Sequence, residues 1–165
     1  MLGTVVAAAL WWTYFDVVAL VAAHRLGQAA EGREQNEMAR DSYSYIHYVM
    51  VAGIVLLALG LKKTLAHVGD PLTAETAVAM LGGAALYLLA HIGFRLRNVG
   101  TLNRQRLVCA AILIALVPLA VHLASLATLA ILAAVLAALI LYEAIRFADS
   151  RERIRRELAG GARPA

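Results

Sequence analysis

Five apolar runs separated by short polar stretches divide this chain. They fall at about 2–23, 41–63, 73–96, 107–123 and 126–147, lengths suited to helices crossing a hydrocarbon core of about 30 Å at ~1.5 Å per residue. No stretch alternates apolar and polar positions with the period of two that a half-buried strand requires. The pattern therefore predicts an all-α, polytopic transmembrane helical bundle with five spans. No linker is long enough to split it, so residues 1–150 read as one transmembrane domain and 151–165 as a basic cytoplasmic tail.

Polar residues inside the runs give each predicted helix a face. In the first run, Ala9, Thr13, Asp16, Ala19 and Ala23 share a small, polar side suited to close helix packing. The second opens with Asp41 or Ser42 as a cap and places Tyr43, Ser44, His47 and Tyr48 within about 140° of one another, before an apolar stretch closed by Lys62 and Lys63. Gly69, Asp70 and Pro71 break the chain before the third run, which Thr73 starts. That run carries Gly82 and Gly83, then Tyr87 and His91 at a spacing that brings them together. Pro118 interrupts the fourth run, and Ala127, Ala130, Ala134 and Ala138 form a small-residue stripe on the fifth.

Composition strengthens the membrane reading. Of the 165 residues 62 % are hydrophobic and 16 % charged, whereas soluble domains run at about 45–50 % and about 25 %. With a mean hydropathy of +0.73, the surplus apolar surface must face lipid. The net charge of +4 does not point to nucleic acid, because the basic residues sit in loops and a tail without interleaved aromatics. Thirteen of the 15 Lys and Arg fall on the side shared by the first and third loops and the tail; Lys62 and Lys63 alone lie opposite. The positive-inside rule then sets the N-terminus outside and the C-terminus in the cytoplasm. The first run lacks a basic start and carries Trp11, Trp12 and Asp16, so it reads as a retained helix rather than a cleaved signal peptide. The Trp pair lies too deep for an interfacial belt and reads as interior packing. The lone Cys109 reads as a packing residue.

Several motifs together resemble the low temperature requirement protein A (LtrA) family of bacterial membrane proteins. They are Leu10 to Asp16 (LWWTYFD), Arg40 to His47 (RDSYSYIH) running into Met50 to Leu57 (MVAGIVLL), the Gly69-Asp70-Pro71 turn, and Tyr87 to Leu96 (YLLAHIGFRL). The resemblance implies a multi-pass protein of the bacterial cytoplasmic membrane linked to growth in the cold. It covers the C-terminal half of a usual member. That implies a longer reading frame, self-association, or pairing with a complementary half. It implies no catalytic residues and no cofactor.

Candidate chemistry rests on Asp16, Tyr43, His47, Tyr87 and His91, expected to form one buried polar cluster. Counted at ~1.5 Å per residue, Asp16 lies about 13 Å from Arg25 and His47 about 10 Å from Arg40, so the two reach similar depth. An intramembrane carboxylate is a functional candidate, and a His–Asp pair either relays protons or locks two helices together. His91 and Glu143 lie near Arg95 and Arg146, within snorkelling reach of the interface. A metal site from Asp16, His47 and His91 would need three helices to converge without a His-x-x-x-His spacing, and a Ser44–His47–Asp16 triad lacks a strained nucleophile turn. The chain is therefore expected not to be an enzyme. Transport of an ion or small solute leads, with a membrane sensor or scaffold as the alternative. The bilayer is the expected partner.

Overall fold

The computed structural model describes residues 1–15 and 39–146, without side-chain placement at 39, 41–43 and 99. These residues form five helices. Helix α1 is Leu2–Phe15. Helix α2 opens in wider, π-helical turns over Ala39–Ile46 and continues as an α-helix over His47–Ala66. Helix α3 runs without a break through Ala74–Ala77, π-helical turns at Val78–Gly82, and Gly83–Val99. Helices α4 and α5 are Arg104–Ala120 and Ser125–Arg146. No strand occurs among the described residues, where pairing is limited to one isolated bridge between Pro71 and Ala124.

Three stretches are long and apolar enough to cross a membrane: Ser44–Ala66, Ala74–Asn98 and Ser125–Arg146. Leu2–Phe15 is apolar but shorter; the remainder of the first predicted span lies outside the described residues. At ~1.5 Å per residue, the 17 residues of α4 reach about 26 Å, a little short of a full crossing. Outward-facing Val51, Ile54, Val55 and Leu59 on α2 expose the apolar surface that lipid would cover.

The predicted boundaries hold to within a few residues, and the exceptions have local causes. Helix α2 is already helical at Ala39, so Asp41 and Ser42 lie inside it rather than capping it. Thr73 does cap α3: its hydroxyl accepts the Thr76 N–H at 3.3 Å. Gly100 ends α3 at φ 73, a left-handed conformation that costs glycine little. Helix α4 starts three residues earlier than the apolar run, because the Asn103 side chain accepts the Arg106 N–H at 3.2 Å. That cap draws Arg104 and Arg106 into the first turn of the helix.

Helix α3 is the centre of the bundle. In its most apolar stretch 72 % of residues are buried, against 22 % in α2 and 39 % in α5. The α2–α3 crossing is set by glycine. A Cβ on Gly60 would stand 2.6 Å from the Met80 Cβ, and one on Gly83 would stand 2.6 Å from the Leu57 backbone nitrogen. Bare backbone lets the helices close to a separation at which dispersion contacts, rather than expulsion of water, hold them. Helix α4 packs on α3 and α5, while α1 packs chiefly on α5. Cys109 sits in the shared core, as expected of a packing residue. Trp11 departs from expectation: it is 60 % exposed and stacks on Phe15 at a centroid distance of 5.4 Å, so it faces outward.

At the end of the bundle opposite Arg106, two turns are tied together. The Ser125 N–H donates to the Asp70 carbonyl at 2.9 Å, and the Ser125 hydroxyl donates to the His67 carbonyl at 2.6 Å. The Gly69-Asp70-Pro71 turn is thereby pinned to the start of α5.

Candidate functional site: a buried ion pair at the junction of four helices

The site assembles around Arg106 in the first turn of α4. Its guanidinium meets Glu143, in the last turn of α5, through two parallel bonds: Nε donates to Oε1 at 2.8 Å and Nη2 to Oε2 at 2.8 Å. Such a fork matches the planar carboxylate in direction as well as charge. Both residues are buried, Arg106 at 5 % exposure and Glu143 at 7 %. The remaining Arg106 nitrogen, Nη1, donates to the Thr13 carbonyl of α1 at 3.2 Å and reaches His91 Nδ1 of α3 at 2.8 Å. One side chain therefore ties together α1, α3, α4 and α5.

Local sequence supplies the supports. Asn103 caps α4 through Oδ1, and its Nδ2 donates to Glu143 Oε1 at 3.1 Å. A single asparagine thus sets the start of the helix and holds the acid that pairs with its third residue. Tyr87, one turn before His91, donates its hydroxyl to the Leu10 carbonyl at 2.8 Å. Thr13 Oγ1 stands 2.8 Å from that same carbonyl and 3.3 Å from the Tyr87 oxygen. These bonds lock α1 to α3 beside the ion pair.

Donor counting fixes the state of His91. Guanidinium nitrogens only donate, so Nδ1 must accept, and the neutral imidazole then carries its proton on Nε2. Nε2 is buried and has no hydrogen-bond partner among the described residues. His91 is 1 % exposed, so this N–H points into the interior.

The residues expected to cluster are found in part together. Tyr87 and His91 lie side by side, ring centroids 5.9 Å apart. His47 approaches them through Tyr14, whose ring stands edge-on to His47 at 5.6 Å and to His91 at 6.1 Å. The contact is aromatic: His47 Nδ1 has no hydrogen-bond partner among the described residues. Asp16 and the Tyr43 side chain lie outside the described residues. Expectation and structure part at His91 and Glu143, which are buried partners of Arg106 rather than residues snorkelling to an interface. Arg106, Asn103 and Thr13 were not singled out by the sequence as site residues. The Asn-x-x-Arg capping spacing and an acid near the end of the fifth apolar run were the signals available.

The family model of the bacterial low temperature requirement A protein (LtrA) matches residues 1–141. The chain belongs to the LtrA family. No curated protein and no solved structure matches it. The matched stretch takes in Thr13, His91, Asn103 and Arg106 and ends shortly before Glu143. Family membership and the three long apolar helices make this LtrA chain an integral membrane protein.

Proposed function

We propose that this LtrA protein moves an ion or small solute across the membrane, and that the Arg106–Glu143–His91 site lies on the route. The observation that carries the reading is the buried ion pair itself. Withdrawing two charges from water is costly, and residues of this kind inside membrane bundles mark ion pathways and proton relays. His91 adds a proton-bearing nitrogen that faces no acceptor among the described residues, which a passing ion, water or solute group could meet. The same reading orients the chain in the cytoplasmic membrane with its N-terminus outside and its C-terminus in the cytoplasm. Arg106 drops out of the loop-charge count, being paired, and the asymmetry of the remaining Lys and Arg still supports that orientation. A reporter fused after Arg156 that reached the outside would reverse it.

Flux measured in liposomes holding the purified chain, alone and with any complementary half, tests the proposal. Wild type should dissipate an imposed proton or cation gradient. His91→Gln keeps an acceptor for Arg106 but loses the imidazole ring, and it should lose flux while remaining folded. Wild-type liposomes that stay sealed to every ion tried, or a His91→Gln variant with unchanged flux, would sink the transport reading.

One observation favours a second reading, a membrane sensor or scaffold. Glu143 and three Arg106 nitrogens all have protein partners, as a static lock requires. Sealed liposomes would leave this reading standing.

A further inference from the structure

Helices α1 and α2 do not close on one another. Because α1 packs chiefly on α5 and α2 on α3, a cleft of about 430 Å³ remains between them. On the α2 side it is lined by His47, Met50, Ile54, Leu57 and Leu61, one face of the helix read every three or four residues. At ~1.5 Å per residue, that face from His47 to Leu61 spans about 21 Å, most of a hydrocarbon core. The α1 wall includes Leu10, Trp11 and Tyr14, and Tyr87 lies at the floor. Trp11 and Ile54 line the cleft and are also exposed, so it opens sideways, toward where acyl chains lie.

Polarity is confined to one end. There His47 Nδ1 is buried and has no hydrogen-bond partner among the described residues, while the edge of Tyr14 holds its ring in place at 5.6 Å. An apolar wall without facing atoms forfeits dispersion contacts, and a buried nitrogen without a partner carries a desolvation cost. A long apolar chain with one hydrogen-bonding head relieves both at once. The volume falls in the range of about 300–1,000 Å³ typical of ligand pockets lined by apolar groups and few polar ones.

We propose that the α1–α2 cleft binds a single-chain amphiphile, a long-chain carboxylic acid in its simplest form, with its head on His47 and its tail along α2 toward Leu61. Nδ1 donates to a carboxylate or accepts from a carboxylic acid, according to the tautomer. This site is separate from the Arg106–Glu143 pair, and the proposal holds whether or not the protein transports anything.

The test uses the full chain in phosphatidylcholine nanodiscs and palmitic acid carrying a photoreactive diazirine at mid-chain. Peptides containing Ile54 and Leu10 should be labelled above the outward face of α4 around Val108 and Ile112. Unlabelled palmitic acid should compete. Ile54→Trp, at a partly exposed position where a larger side chain can fit, should remove the competed labelling. His47→Leu should weaken binding about fivefold, the worth of one hydrogen bond. Equal, uncompeted labelling of α4 would mean contact with bulk lipid only and would overturn the proposal. So would cross-linking from Ile54→Cys to residues 16–38 that palmitic acid leaves unchanged, since the cleft would then belong to the chain itself.

Discussion

Arg106 and Glu143 show how differently the same pair weighs when broken and when replaced. Each ion has lost its water, and the charge of the other restores much of what burial removed. Glu143→Leu alone leaves a stranded guanidinium beside His91 and should destabilise the bundle by about 3–5 kcal/mol. Arg106→Met with Glu143→Leu replaces both charges by apolar volume and should cost far less than the two single changes together. Reversible unfolding in mixed micelles, followed across the four proteins of that cycle, reads the coupling directly; additive losses would mean the pair is not the unit described. The pairing itself was not legible in the sequence. Arg106 stands at the head of an apolar run among Arg95, Arg97 and Arg104, and loop cations look the same until the fold brings Glu143 to one of them. Tyr87 and His91 were legible because a spacing of four fixes neighbours within one helix. No local rule reaches across the interval from Arg106 to Glu143.

At the scale of the helix, glycines that look alike in the sequence do opposite work. Gly60 stands where a Cβ would come 2.6 Å from Met80, whereas a Cβ on Gly93 would meet nothing within 4 Å. Gly60→Ala should therefore force α2 and α3 apart and cost about 1–3 kcal/mol, the usual penalty of overpacking. Gly93→Ala should be neutral or stabilise by up to about 1 kcal/mol, because alanine is the better helix former. Thermal unfolding in one detergent separates the two, and equal effects would contradict the close α2–α3 crossing. Apolar runs marked the helices well, since length and periodicity are properties of the run itself. The ends were harder. Asn103 extends α4 backward by capping it, and the π-helical turns from Ala39 carry α2 through the residues expected to start it. Trp11 was misplaced for a related reason: depth along a helix says nothing of which way a side chain faces, and α1 turns this one outward.

For the whole molecule, the alanine stripe of α5 lies on the side the bundle does not use. Leu129, Leu132, Ala133 and Leu136 are buried against the other helices, while Ala127, Ala130, Ala134 and Ala138 are exposed. Small side chains on an outward face leave the backbone open to close approach by another helix, and in lipid such packing, not the hydrophobic effect, holds helices together. We propose that this face joins two copies of the chain, or the chain and a complementary half. Light scattering in mild detergent should then report a mass above that of one chain, and Ala130→Leu with Ala134→Leu should return it to the monomer. Unfolding of the variant should match wild type within about 0.5 kcal/mol, because neither residue contributes to the bundle core. An unchanged mass would remove the stripe as an interface. A loss of both mass and stability would mean that the alanines pack within the fold. The two measurements together separate an assembly surface from a structural one.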